Sequence, residues 1–205
     1  MFDATQITSE VEAVNLMLSL IGESPVPSLA AATANPDVQN ALMLLRADTR
    51  RLQTFQWTFN TNLKVTLTPS PSDGRIALDT NCIRAVPHVS DETPQMRDVL
   101  MTVRGEGGVM KLYDRTNNTF SWTMPLVLDL TYLYAFENLP EPVRAYLAIA
   151  AGRKFQARFD GGETRFKLSA ADEAEARLAL VDYEIGDGNP NFLSDSGDVV
   201  EGWAH

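Results

Sequence analysis

The chain has 205 residues, of which 44% are hydrophobic and 21% are charged, and these are ordinary values for a folded globular protein of one domain or two small subdomains. Its most apolar stretch, residues 145–151, is far too short to span a bilayer, and its first residues are acidic, unlike a secretory signal, so we expect a soluble intracellular product without a membrane partner. The single cysteine, Cys82, and two distant histidines, His88 and His205, predict no disulfide, no metal site and no cofactor.

The formal net charge of −10 is unevenly distributed along the chain. Residues 1–45 contain acids and no base, and residues 172–205 contain Arg177 as their one base, whereas residues 46–171 are mildly basic. Affinity for nucleic acid comes largely from basic side chains that release counterions from phosphates. We therefore expect that the chain does not bind DNA tightly. Solubility alone is a competing explanation of the acidic ends.

Two helices are predicted near the N-terminus. Ser9 and Glu12 have the spacing of a capping box, and Gly22 is a natural end for the helix that follows. Asn35, followed by a proline, is a suitable cap for a second helix that should run to about Thr54. Apolar residues at helical spacing predict the buried faces of both helices. In the first they are Val11, Val14, Leu18 and Ile21, and in the second Val38, Ala41, Leu42, Leu45, Leu52 and Phe55.

The pattern then changes from helical spacing to alternation, which is typical of strands. The first alternating set consists of Phe59, Leu63, Val65 and Leu67. Further short strands are predicted at residues 75–78, 82–89, 99–103, 109–113 and 126–134. The glycine-rich stretch at residues 105–108 is predicted to be the tip of a hairpin. The connections are short, so the strands should be antiparallel.

Two further helices are predicted after Asn138. The third helix has an apolar residue at every fourth position and should end at Gly161. Those residues are Val143, Leu147, Ala151, Phe155 and Phe159. The fourth begins at Ser169, with Asp172 at the capping-box position, and should break at Gly186. Its predicted apolar side consists of Leu178, Val181 and Ile185.

Together these elements predict an α+β fold. We expect a four-helix bundle built from both chain ends, residues 1–56 and 136–186, with an inserted antiparallel β subdomain at residues 57–135. Residues 187–205 are rich in Gly, Ser and Asp, and are predicted to form a flexible C-terminal arm.

Candidate catalytic motifs are weak throughout the chain. Residues 105–108 lack the Lys-Ser/Thr of a phosphate-binding loop. Four acids near helix ends could supply the pair of carboxylates that a glycosidase needs. Acids at these positions are also common because they interact favourably with the helix dipole and increase solubility. These acids are Asp160, Glu163, Asp172 and Glu173. No G-x-S-x-G elbow occurs, and His88 is expected to be a structural or surface residue. We therefore predict no catalytic residue.

Basic side chains near the end of the third helix are predicted to face acidic side chains at the start of the fourth. These charged residues are candidate interface residues. The basic cluster consists of Arg153, Lys154, Arg158, Arg165 and Lys167, and the acidic one of Asp172, Glu173 and Glu175. Three explanations are open: a nucleic-acid patch, compensation of the helix dipole within the chain, or pairing between neighbouring subunits.

The predicted arm keeps apolar residues that a purely solubilising tail would not need. They are Phe192, Leu193, Val199, Val200 and Trp203. Apolar anchors in an acidic arm suit folding upon binding, with tryptophan a frequent hot spot. The hypothesis is that the arm docks on a partner or a neighbouring subunit; a disordered end with incidental apolar residues is the alternative.

Several short segments, in this order, resemble the tail tubular protein A family, which comprises the head-to-tail adaptors or connectors of short-tailed bacteriophages. They lie at residues 13–26, 56–60, 112–116, 139–141, 155–159, 172–177 and 183–184. The ordered set, rather than any one segment, carries the resemblance, and it spans about residues 10–190.

The resemblance implies a structural virion protein and not an enzyme. It implies a dodecameric adaptor ring beneath the portal protein, in contact with the nozzle protein (tail tubular protein B) and tail fibres, and part of the DNA ejection channel. The chain would be made in the cytoplasm of the host bacterium and located in the virion tail; whether it is a monomer when isolated is left open. An acidic lumen agrees with this function, because it lets DNA pass without holding it.

Two alternatives come from other functional classes. Some members of the family are suspected of degrading polysaccharide, so a cell-wall or polysaccharide hydrolase on a tail structural protein is the alternative function. The second alternative function is that of a free-standing binding module. A catalytic carboxylate pair in one cleft would favour the hydrolase, and ring-forming faces would favour the adaptor.

Overall fold

The computed structural model describes residues 8–30, 35–158 and 168–187. Over these residues the chain has four α-helices and two antiparallel sheets, which confirms the predicted α+β class. The helices are α1 (Glu10–Leu20), α2 (Pro36–Leu52), α3 (Glu141–Arg158) and α4 (Ala170–Asp187). The strands are β1 (Thr61–Leu67), β2 (Cys82–Pro87), β3 (Met101–Glu106), β4 (Val109–Asp114) and β5 (Leu126–Tyr132).

The chain divides into two compact units. The first consists of residues 1–49 and 135–205, and the second of residues 50–134. The first unit contains α1, α3, α4 and most of α2, and the second contains all five strands.

In the first unit, α3 packs against both α1 and α4. The capping box that opens α1 is confirmed: the Glu12 amide donates to the Ser9 hydroxyl at 3.2 Å, and the Ser9 amide donates to the Glu12 carboxylate at 2.7 Å. The predicted α3 stripe is also confirmed wherever it is described, since each of its residues is buried. These are Val143, Leu147, Ala151 and Phe155. Phe159 and the glycines predicted to end the helix lie outside the described residues.

A glycine allows the close approach of α1 to α3. A Cβ atom at Gly152 would lie 2.9 Å from Leu168 Cδ1 and 3.3 Å from Leu20 Cδ1, which is closer than side chains normally pack. The missing side chain therefore lets Leu20 reach the α3 backbone.

Helix α2 begins as predicted, with the Asn35 side chain accepting the Asp37 amide at 2.9 Å. The helix ends at Leu52, close to the predicted end at about Thr54, but the prediction that Phe55 belongs to its buried face is wrong, because Phe55 is 57% exposed. The Trp57 indole donates to the Leu52 carbonyl at 2.8 Å, and the Phe55 amide donates to the same carbonyl at 3.5 Å, so the last carbonyl of the helix has partners.

The second unit contains a three-stranded antiparallel sheet in the order β1-β5-β2 and a separate β3-β4 hairpin. Their apolar faces form one core. Its buried members are Ile76, Leu78, Cys82, Ala85, Met96, Leu112, Trp122, Leu126, Leu128 and Leu130. The hairpin predicted at residues 105–108 is confirmed: Gly107 and Gly108 both have positive φ, as a tight hairpin turn requires.

Two predictions for the strands are wrong. The predicted strand at residues 75–78 makes only isolated bridges, from Arg75 to Ser121 and from Ala77 to Lys111. In β1 the register shifts between Asn62 and Val65, with Lys64 at φ 56°, so the alternation is interrupted. Leu63 is consequently 61% exposed rather than directed into the core.

A buried polar network holds the start of β1. Asn60 donates to the carbonyls of Gln53 and Tyr132 at 2.9 and 3.2 Å, and it accepts the Trp57 amide at 3.0 Å. The Gln53 side chain in turn donates to the Tyr134 carbonyl and accepts its amide. Buried amide side chains are stable only with such partners, so this network fixes the connection into the sheet.

Candidate functional site

The predicted interface charges on α3 and α4 are brought together by the packing of these two helices. Arg153 Nη1 donates to Glu173 Oε2, so one predicted basic residue pairs with one predicted acidic residue within the same chain. Their side chains remain 39% and 26% exposed. The pairing agrees with the intrachain explanation of the charge cluster, whereas a contact between subunits stays a prediction.

Asp172 has a local role at the start of α4, where it completes the capping box with the N-cap residue Ser169. Its carboxylate accepts the Ser169 amide at 2.6 Å and the Ser169 hydroxyl at 2.8 Å, and the Asp172 amide donates back to that hydroxyl at 3.2 Å. The predicted capping box is thus confirmed. The bonds from the Ser169 backbone and hydroxyl lower the pKa of Asp172 below its usual value.

Lys154 bonds to an acid that the sequence did not suggest. Its Nζ lies 2.7 Å from Asp48 Oδ1 on α2, a residue 106 positions away in the chain. Asp48 is buried, and this ion pair compensates its charge. A second pair joins α2 to α1, where Arg46 makes two bonds to Glu10 at 2.8 and 2.9 Å. Ion pairs thus link α2 to both α1 and α3.

The remaining predicted site residues are less constrained. Arg158 and Glu175 are exposed, and neither forms an ion pair with any of the described residues. The other predicted members lie outside the residues that the structure describes. They are Asp160, Glu163, Arg165 and Lys167, and the apolar anchors Phe192, Leu193, Val199, Val200 and Trp203.

The prediction of the apolar side of α4 is wrong about which face is buried. Leu178, Val181 and Ile185 are 64%, 36% and 68% exposed, whereas Leu180 is 1% exposed. The helix has apolar residues on two sides, and the Arg153–Glu173 pair lies on the side of Leu180. Along residues 170–186, Leu180 is the one buried residue, so the longer apolar stripe faces solvent.

Three residues considered for catalysis, His88, Asp172 and Glu173, lie in the described part of the chain, and each has a structural partner. His88 Nδ1 lies 2.8 Å from Asp129 Oδ1, and the Thr93 hydroxyl bonds to the His88 backbone carbonyl rather than to its ring. Asp172 and Glu173 are held by the capping box and by Arg153. Within the described parts of the chain, no three His, Cys, Asp or Glu side chains are grouped in a way that would hold a metal ion.

A family model for tail tubular proteins matches residues 11–190. The chain belongs to the tail tubular protein family. The match covers α1 to α4 and confirms the family suggested by the ordered segments of the sequence. No curated protein matches the sequence.

Membership establishes the general role of this tail tubular protein. It is a structural protein of a phage tail, it is located in the tail of the virion, and it assembles with other tail components. The family is in general not enzymatic. None of the described helices has the length and hydropathy needed to cross a bilayer.

Proposed function

We propose that this tail tubular protein forms an adaptor ring that joins the portal to the tail nozzle and forms part of the DNA ejection channel. The observation that carries the proposal is the family match over residues 11–190. In this proposal the ring is a dodecamer in the virion. Its partners are the portal, the nozzle protein and the tail fibres.

Each subunit of the proposed ring consists of a helical body and an inserted β subdomain. The body is a four-helix bundle from residues 1–56 and 136–186, and the insertion is the β subdomain at residues 57–135. The packing of α3 against α1 and α4 and the ion pairs from α2 to Glu10 and Lys154 support the bundle. Such a body offers several helix faces to neighbouring copies.

The charge of the chain supports passage of DNA without tight binding. The net charge is −10, and Arg153 and Lys154 of the basic cluster are neutralised by Glu173 and Asp48. A channel wall with net negative charge repels the phosphates of DNA and keeps the energy barrier to DNA sliding low. A submicromolar affinity for duplex DNA that falls steeply with salt would contradict this part of the proposal.

Residues 187–205 are proposed to be the arm that docks on the portal or on a neighbouring subunit; its first residue, Asp187, is the last residue of α4. Six of the nine acids in residues 172–205 belong to α4, and the other three lie in residues 188–205 with no Lys or Arg. A chain that stops after Asp187 should keep its melting temperature and attach more weakly to the portal. Attachment equal to that of the full chain would exclude the arm.

An enzymatic role is not part of the proposal. Among the described residues considered for catalysis, Asp172, Glu173 and His88 bond to partners within the chain. The alternative, a hydrolase of polysaccharide or cell wall, predicts cleavage of capsular glycan or peptidoglycan by the pure protein. Activity abolished by one Asp or Glu substitution, without loss of folding, would favour that alternative.

The decisive experiment is electron microscopy of the purified protein, alone and mixed with the portal of the same phage. The proposal predicts rings with a central channel, seated coaxially on the portal. Image classes with twelve subunits would support the dodecamer. Protein that binds neither itself nor the portal at micromolar concentration would refute the adaptor function.

A further inference from the structure

The exposed side of α4 has the residue spacing of a helix that packs along another helix. Its apolar residues follow one another at intervals of three, four, three and four positions, and all five are exposed. We call this set the α4 seam: Ala171, Ala174, Leu178, Val181 and Ile185. Alternating intervals of three and four keep one stripe of a helix against a partner helix over several turns. The partner of the α4 seam should therefore be a helix.

Charge restricts which helix can fill this position. Helix α4 has six acids and Arg177 as its single base, so it is strongly negative. A second α4 in a symmetric pair would bring the same negative charge against it. The C-terminal segment, residues 188–205, is also acidic and contains no Lys or Arg. Like charges oppose both pairings, and an apolar face with basic residues beside it is favoured.

Helix α2 presents two exposed apolar residues, Met43 and Ala47, with basic residues near them. Asn40, Met43, Ala47 and Arg50 follow one another at intervals of three, four and three positions, and all are exposed, with Met43 62% exposed. We call this set the α2 face. Arg50 lies on it, and the exposed Arg51 lies beside it. The α2 face and the α4 seam therefore have matching spacing and opposite charge.

We propose that the α4 seam of one copy packs against the α2 face of a second copy. Both surfaces are exposed in the same chain, and they differ from each other, so the contact is heterologous and each copy can bind one neighbour on either side. Head-to-tail contacts of this kind form a ring when the rotation from one copy to the next closes, and an open filament when it does not. This inference rests on the proposed adaptor ring and names the faces that form it.

The first test is disulfide cross-linking between two full-length variants of different size. Leu178→Cys copies with a fusion tag are mixed with untagged Met43→Cys or Ala47→Cys copies and oxidised. The native Cys82 is buried and does not compete. Mixed-size dimers are expected. The matched control is Leu100→Cys, at a position 57% exposed, which should give only background. A predominance of Leu178→Cys homodimers, or equal yields with the control, would overturn the inference.

The second test exchanges the charges. Arg50→Glu with Arg51→Glu, or Glu175→Lys with Asp182→Lys, should each weaken self-association, and the chain carrying all four changes should recover it. All four positions are exposed, so the fold should tolerate them. Recovery distinguishes charge pairing from simple destabilisation. Failure of the fourfold variant to recover would contradict the proposed pairing.

The third test separates failure of the inference from failure of the proposed function. Leu178→Glu should weaken self-association by about tenfold or more, because an apolar side chain no longer enters the contact. Leu63→Glu, at a position 61% exposed, is the matched control and should still form rings. Rings from Leu178→Glu equal to those of the wild type would refute the inference and leave the adaptor function intact. If the wild type binds neither itself nor the portal, the adaptor function fails. Rings on the portal without a cross-link between Leu178→Cys and Met43→Cys or Ala47→Cys would refute the inference alone.

Discussion

Helices α3 and α4 have the same length, 18 residues, and the same apolar character in the sequence, yet they are buried to very different extents. Eight residues of α3 are buried, around most of its circumference. In α4, Leu180 alone is buried among residues 170–186. A helix at the centre of a unit and a helix with an exposed apolar face can therefore have similar apolar patterns. What distinguishes them is the number of neighbours that the fold supplies.

The largest expected loss of stability comes from a substitution in the buried helix α3. Phe155 on α3 is fully buried, so Phe155→Ala removes a large side chain from a close-packed interior and leaves a cavity. The free energy of unfolding should fall by about 3–5 kcal/mol. Urea denaturation followed by circular dichroism measures this change. A loss below about 1 kcal/mol would mean that α3 is not the centre of its unit.

A second pair of variants sharpens the comparison within α4 itself. Leu180→Ala should cost about 2–5 kcal/mol, because Leu180 is 1% exposed. Leu178→Ala is the matched control, since it makes the same chemical change at a position 64% exposed, and it should stay within about 0.5 kcal/mol of the wild type. Equal losses in the same denaturation experiment would show that the α4 seam is covered within the chain.

Local signals allowed much of the fold to be predicted from the sequence. The capping boxes at Ser9 and Ser169 and the turn at Gly107 involve residues close in sequence, and their chemistry is sufficient to specify them. The stripe of α3 was equally clear, because its apolar residues recur at every fourth position, and Val143, Leu147, Ala151 and Phe155 are all buried. The family could also be identified from the sequence, because the short segments that resemble it occur in the family's order; the family model matches residues 11–190.

The predictions that failed depend on partners distant in sequence. Nothing near Asp48 indicates that Lys154 will reach it, and nothing near Leu63 reveals the register shift that exposes it. In α4 the sequence predicted a buried side at Leu178, Val181 and Ile185, whereas the structure buries Leu180. The intervals of the α4 seam were visible as a pattern, but whether a stripe meets its own chain or another copy is decided by tertiary packing.

A smaller effect is expected at the cap of α4. Ser169→Ala removes the hydroxyl that accepts the Asp172 amide, and such a loss costs about 1 kcal/mol. Since α4 has little buried surface, the effect should appear mainly as local opening of its first turn. Hydrogen exchange of the amides of residues 171–174 should therefore be faster, whereas Ser169→Thr, which keeps a hydroxyl, should retain protection. Unchanged exchange in Ser169→Ala would show that packing alone holds this turn.

The smallest effect is a pH dependence of the same cap. The bonds from Ser169 lower the pKa of Asp172 below the ordinary value of 3.8, so the folded state prefers the ionised carboxylate more than the unfolded chain does. The resulting stabilisation is present above the unfolded pKa and is lost as pH falls through the lower pKa of the folded state. The difference in protection of residues 171–174 between the wild type and Asp172→Asn should thus be constant near pH 6–7 and shrink below about pH 4. Glu175→Gln is the control, because Glu175 is exposed on the same helix and outside the capping box. A wild-type advantage that persists unchanged at pH 2 would show that the charge of Asp172 does not stabilise the start of α4.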